Sequence, residues 1–121
     1  MAARPRILLV EDEMAIALML EDLLSSLGYD VVGPVGRVRE AIALVEREAM
    51  DAALLDVNLG GEKVYAVADT LAARDIPFVF VTGYGAAGLP APYRDRPSVP
   101  KPFKRRALAL ALAAVCGVTK S

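Results

Sequence analysis

The chain has 121 residues, 55% of them hydrophobic and 24% charged, which suits one compact domain with a sizeable core and excludes a disordered polymer. Fourteen basic against fifteen acidic side chains leave a formal charge of −1. That balance argues against a surface built to hold nucleic acid or an anionic membrane and leaves another protein as the expected partner. There is no histidine, so the serine and cysteine hydrolase triads and any histidine general base are excluded. Cys116, the single cysteine, has no partner for a disulfide or a zinc site, which fits a reducing cytoplasm.

Met1-Ala2-Ala3-Arg4-Pro5 leads directly into Arg6 to Val10, a run too short for a signal sequence or a membrane span. Met1 and the polar end Thr119-Lys120-Ser121 read as the natural termini of one domain, 1–121. Ile7-Leu8-Leu9-Val10 is apolar without alternation, the pattern of a strand buried on both faces, and Glu11 and Asp12 end it. From Glu13, the spacing of Ile16, Leu20, Leu23, Leu24 and Leu27 predicts a helix, with Gly28 as its left-handed stop. Val31-Val32 begins a second strand, interrupted at Gly33-Pro34, and Val38, Ala41, Ile42 and Val45 mark a second helix.

Ala52 to Leu55 is a third apolar run that ends in Asp56, and Gly60-Gly61 separates it from a helix expected over Glu62 to Arg74. Phe78 to Val81 supplies a fourth strand with Thr82 just after it. Between Gly83 and Pro100 stand three glycines and four prolines, so a fourth helix there is expected to be short, irregular or missing, and the segment mobile. Ser98-Val99 is a brief fifth strand. Lys101-Pro102 is expected to open a last helix carrying Leu108, Leu110 and Leu112, chiefly as core, with leftover positions as a candidate homodimer face.

Strands alternating with helices over short connections predict an α/β fold, a doubly wound and mostly parallel five-stranded sheet with right-handed crossovers. Ligands of such sheets bind at the carboxyl ends of the strands, where Glu11, Asp12, Asp56, Thr82 and Lys101 would converge. Three carboxylates without histidine or cysteine make an oxygen-only site suited to Mg²⁺. Lys101 and Thr82 suit that site to a tetrahedral oxyanion such as a phosphoryl group, and Asp56, ending the central strand, is the best candidate nucleophile.

Ile7-Leu8-Leu9-Val10-Glu11-Asp12-Glu13, Leu54-Leu55-Asp56-Val57-Asn58-Leu59, Val81-Thr82-Gly83 and Lys101-Pro102-Phe103 resemble, in that order, the four signatures of the response-regulator receiver family of two-component systems. Together they span nearly the whole chain. The resemblance implies a flavodoxin-like sheet of strand order 2-1-3-4-5. It also implies roles: Glu11 and Asp12 as the acidic pair holding Mg²⁺ together with Asp56, Asp56 as phosphoacceptor, the backbone carbonyl of Asn58 as a further metal ligand, and Thr82 and Lys101 as phosphoryl-contacting switch residues. A receiver of this kind catalyses its own phosphorylation and dephosphorylation, takes its phosphoryl group from a histidine kinase or phosphotransfer protein, and signals by protein contact.

Phe80-Val81-Thr82-Gly83-Tyr84-Gly85 is similar to the Phe-Ala-Thr-Gly-x-Tyr-like motif of stand-alone receivers often paired with HWE-type histidine kinases, although valine replaces alanine and the tyrosine spacing differs. Ser98 departs from the family where most receivers carry a tyrosine or phenylalanine that rotates inward, so coupling is expected to run through ordering of the Gly83 to Pro100 segment instead. A phosphorylation-independent binding module with the same fold is the alternative. A haloacid-dehalogenase-like phosphatase also uses an aspartate nucleophile and Mg²⁺, but it is disfavoured because position 58 is Asn and not Asp. Taken singly, Glu11 to Glu13 read as an acidic helix start, Asp56 to Gly61 as a turn, Thr82 as a backbone cap and Lys101 as a solvated loop residue. Cys116 reads as a small buried hydrophobe and Tyr84 as loop packing, an interaction residue or a modulator of phosphoryl lifetime.

Overall fold

The computed structural model describes residues 4–83 and 88–116. The strands are β1 (Arg6–Val10), β2 (Asp30–Val35), β3 (Ala52–Asp56), β4 (Asn58–Leu59), β5 (Glu62–Lys63), β6 (Phe78–Thr82) and β7 (Ser98–Pro100). The α-helices are α1 (Met14–Ser26), α2 (Val38–Arg47), α3 (Tyr65–Ala73) and α4 (Arg105–Cys116). Five strands form a sheet in the order β2-β1-β3-β6-β7, all pairings parallel. Numbering only the strands of this sheet, the order is the expected 2-1-3-4-5.

The apolar runs lack alternation because both faces of the sheet are covered. Ile7, Leu9, Ala52, Leu54, Val79 and Val81 point to one face and pack with Leu20 and Leu24 of α1 and Leu108 and Leu112 of α4. Leu8, Val10, Ala53, Leu55, Phe78 and Phe80 point to the other, against Ala41 and Val45 of α2 and Val67, Ala68 and Leu71 of α3. Successive strand residues thus feed two separate cores, as the two-residue period of a strand requires. Leu110, expected in the core stripe, is 61% exposed, since a residue two positions from both Leu108 and Leu112 lies on the opposite side of a helix.

Element boundaries depart from expectation in four places. β2 continues through Gly33-Pro34 to Val35, because a register shift between Leu8 and Val10 absorbs the irregularity and restores pairing at Val10 with Val35. α3 starts at Tyr65 and not at Glu62, since Glu62-Lys63 is taken by a two-stranded antiparallel pairing with Asn58-Leu59. α4 starts at Arg105: the β6–β7 ladder runs on to Lys101, whose N–H donates to the Thr82 carbonyl at 2.9 Å, and residues 102–104 turn the chain from that ladder into the helix, whose Leu108 N–H donates to the Lys104 carbonyl. Thr82 is the last residue of β6 and does not follow it. Among the described residues between Gly83 and Pro100 there is no α-helix, only 3-10 structure such as Ala91–Tyr93. The predicted stop of α1 holds: Gly28 has φ +100°, its N–H donates to the Ser25 carbonyl and the Tyr29 N–H to that of Leu24, a Schellman closure.

Gly36, which links β2 to α2, is pressed against the loop that follows β1. A Cβ there would lie 3.0 Å from the Asp12 Cα and 3.2 Å from its Cβ, whereas at Gly83 it would meet nothing within 4 Å. Gly36→Ala is therefore expected to destabilise the domain by about 1–3 kcal/mol, the cost of overpacking against backbone, while Gly83→Ala stays within about 0.5 kcal/mol of the parent. Urea unfolding of both variants checks this, and equal midpoints would show that the Asp12 loop yields freely.

Candidate phosphoacceptor and metal site

Parallel strands all present their carboxyl ends at one edge, and the sheet order sets β1, β3 and β6 side by side there. Val10 of β1 pairs with Leu55 of β3, and Asp56 pairs with Val81 of β6, so the residues just beyond them meet. Glu11 and Asp56 are buried, Asp12 is exposed, and one carboxylate oxygen from each of the three lies within 4.8 Å of the others. Thr82 is buried on the neighbouring strand. Lys101, after β7, reaches back so that its Nζ donates to Asp56 Oδ2 at 3.1 Å. Asn58 offers its backbone N–H to Asp56 Oδ1, also at 3.1 Å. All six residues expected at the site are therefore assembled at one edge of the sheet. Tyr84 and Gly85 lie outside the described residues.

The electrostatics of this cluster are unbalanced in a specific way. Asp56 has a donor on each oxygen, but Glu11 has a donor on only one: Oε2 accepts the Glu13 N–H at 3.1 Å, and Oε1 is buried with no hydrogen-bond partner. Burial, opposed by the Glu13 hydrogen bond and reinforced by the Asp56 carboxylate, pushes the Glu11 carboxyl up to about 7. A buried oxygen without a donor, beside two more carboxylates and no nitrogen or sulfur ligand, fits a hard divalent cation such as Mg²⁺. A cation there would satisfy Oε1 and offset the negative charge of the three side chains.

The structure adds residues at the site that the sequence reading missed. A cavity of about 390 Å³ opens over Asp56, Thr82 and Lys101, and its wall includes Lys63 and Tyr65. Tyr65 stacks on Tyr93 with ring centroids 4.9 Å apart, and both rings meet the edge or face of Phe80. The Tyr93 hydroxyl donates to Asp69, and that hydrogen bond pushes it up to about 12. On the other flank Gly60 and Gly36 crowd Asp12: a Cβ on Gly60 would stand 3.0 Å from Asp12 Oδ2. A signal for the hairpin was present, since Gly-Gly between two short segments favours a type I′ turn, and Gly60 and Gly61 do have φ +55° and +97°. Cys116 is half-buried, and burial raises its thiol to about 11, in keeping with a packing role. No helix among the described residues is long and apolar enough to cross a membrane.

Known proteins share this arrangement. The family model for the response regulator receiver domain matches residues 7–113. SdrG from Sphingomonas melonis Fr1, solved in solution, is 53% identical with a TM-score of 0.83 over 95% of this chain and 98% of its own. The receiver domain of the sensor histidine kinase PA1611 from Pseudomonas aeruginosa PAO1, crystallised with a magnesium ion coordinated in its active-site cleft, is 30% identical with a TM-score of 0.80 over 95% of this chain and 99% of its own. The transcriptional regulatory protein PdtaR of Mycobacterium tuberculosis is 33% identical over 78% of this chain and 47% of its own length, so the chain spans about half of that relative. With the four sequence signatures, the parallel sheet and the acidic cluster in agreement, the chain belongs to the response regulator receiver domain family of two-component signalling.

Proposed function

We propose that Asp56 accepts a phosphoryl group from a histidine kinase or phosphotransfer protein in a Mg²⁺-dependent reaction, and that the domain passes the signal on by protein contact. The observation that carries this reading is the surroundings of Asp56. It is a buried carboxylate at the end of the central strand, opening on a cavity, with the Lys101 ammonium on one oxygen and the Glu11 and Asp12 carboxylates beside it. Glu11, Asp12, Asp56 and the backbone carbonyl of Asn58 would hold Mg²⁺, which supplies positive charge against the carboxylates and the incoming phosphoryl oxygens. The receiver domain of PA1611 contains that ion in its cleft.

In the transfer, an oxygen of Asp56 bonds to phosphorus while the phosphorus–nitrogen bond of the donor breaks, its electron pair leaving with the imidazole. Lys101 stays protonated throughout and moves from pairing the free carboxylate to pairing the phosphoryl oxygens. The Thr82 hydroxyl, at the neighbouring strand end, donates to the same group, and dephosphorylation follows when a water oxygen bonds to phosphorus as its bond to the Asp56 oxygen breaks, releasing inorganic phosphate and the free carboxylate. An HWE-type kinase is the finer assignment for the donor, supported by the motif at Phe80 to Gly85, and exposed Leu110 is the large apolar side chain of α4 open to a second copy. A cytoplasmic location agrees with the lone cysteine.

Incubation with acetyl phosphate and Mg²⁺ is expected to add one phosphoryl group by intact-protein mass, and Asp56→Asn to add none. Stoichiometric labelling of that variant would place the acceptor elsewhere, and absence of labelling in the parent would favour a phosphorylation-independent binding module. Independently, Mg²⁺ at about 100 times its Kd is expected to stabilise the domain by about 2.7 kcal/mol. Glu11→Gln should remove most of that gain, as read by thermal melting across a Mg²⁺ titration. A parent melting curve indifferent to Mg²⁺ would reject the metal site.

A further inference from the structure

We infer that Lys63 is a second cation of the phosphoryl site: it draws the anionic donor into the cavity over Asp56 and contacts the phosphoryl oxygens during transfer. The inference rests on the phosphoacceptor reading above and adds to it a residue outside the four signatures.

Lys63 is exposed, and an exposed lysine is most simply a solvated surface charge, so its placement has to carry the case. It lies on the wall of the same cavity as Asp56, Thr82 and Lys101. Lys101 is already engaged with Asp56, whereas the Lys63 side chain has no hydrogen-bonding or ionic partner among the described residues. Among the described residues lining the cavity, Lys63 is therefore the cation without an ionic partner.

Its position is set by the hairpin and not by a floppy loop. Lys63 pairs antiparallel with Asn58, the residue whose N–H holds Asp56 Oδ1. One residue further on, the Val64 N–H donates to the Val57 carbonyl at 3.2 Å, closing the base of the hairpin on both strands. Paired residues on antiparallel strands stand about 5 Å apart. The Lys63 backbone is thereby tied, through Asn58, to the phosphoacceptor itself.

The hairpin also sorts charge. Successive side chains of a strand leave on opposite sides. Glu62 goes to the far flank, where it lines a different cavity with Asp12 and Arg37 and accepts the Val38 N–H at 3.4 Å. Lys63 goes to the Asp56 side. A one-residue change of register would exchange them and set an anion on the path of an anionic donor.

During transfer Lys63 forms and breaks no covalent bond and moves no proton. The Asp56 oxygen bonds to phosphorus, the leaving group departs with its electron pair, and the Lys63 ammonium balances charge on the phosphoryl oxygens from the cavity wall. A focused positive charge at a cavity mouth raises the capture rate of anions by about 10-fold or more, an effect that salt screens.

The test is the initial rate of phosphoryl gain from acetyl phosphate at saturating Mg²⁺, read by intact mass for the parent, Lys63→Gln and Lys63→Arg at low and high salt. Lys63→Gln is expected to be labelled about tenfold more slowly at low salt, with the gap narrowing at high salt. Lys63→Arg should stay within about twofold of the parent, and all three should share one Mg²⁺-dependent melting shift. Parent-like labelling of Lys63→Gln, or Lys63→Arg as slow as Lys63→Gln, would overturn the role of Lys63 while leaving Asp56 as acceptor. Failure of every protein to gain a phosphoryl group would instead remove the phosphoacceptor reading and this role with it.

Discussion

Asp56 keeps a carboxylate at the end of a strand whose five residues are all buried, next to a second buried carboxylate, and the Lys101 ammonium 3.1 Å away partly offsets that concentration of negative charge. Much of the site's architecture follows from this arrangement. Lys101 can reach Asp56 because β7 joins the sheet beside β6 and its ladder runs one residue beyond the strand, to the Lys101 N–H. One cation against three acids still leaves Glu11 Oε1 without a donor, and this residual imbalance fits the cluster to a divalent ion.

The site is as much a product of close backbone packing as of side-chain chemistry. Gly36 and Gly60 approach Asp12 from two directions, and a Cβ on either would intrude on it. Glycine at these two positions lets the β2–α2 link and the hairpin tip close over the loop that carries the acidic pair. The hairpin then serves three neighbours at once: its first strand supplies the N–H on Asp56, its turn packs against Asp12, and its second strand parts Glu62 from Lys63.

A serine at position 98 leaves the last strand without an aromatic ring, yet aromatic side chains do flank the cavity over Asp56. Tyr65 on that cavity's wall stacks on Tyr93, both pack with Phe80, and Tyr93 is tied to α3 through Asp69. These rings come from α3, β6 and the 3-10 turn, so the packing between helix and turn is continuous up to the cavity. Phe78 extends the cluster, with the Arg96 guanidinium 4.7 Å over its ring.

The sequence by itself determined the layered α/β plan, since uninterrupted apolar runs such as Ile7 to Val10 and Ala52 to Leu55 are stable only when a sheet is covered on both faces. It also determined which polar residues would meet, because Glu11, Asp56 and Thr82 each stand at a strand's carboxyl end and parallel strands bring those ends to one edge. Tertiary structure decided what local pattern cannot carry. Whether Glu62-Lys63 opens a helix or closes a hairpin depends on pairing with Asn58-Leu59, and how far the β6–β7 ladder runs ahead of the last helix depends on the bond from Lys101 to Thr82. The order of strands, the orphaned oxygen of Glu11 and the cavity face taken by Lys63 arise from contacts between segments distant along the chain, so no window of residues encodes them.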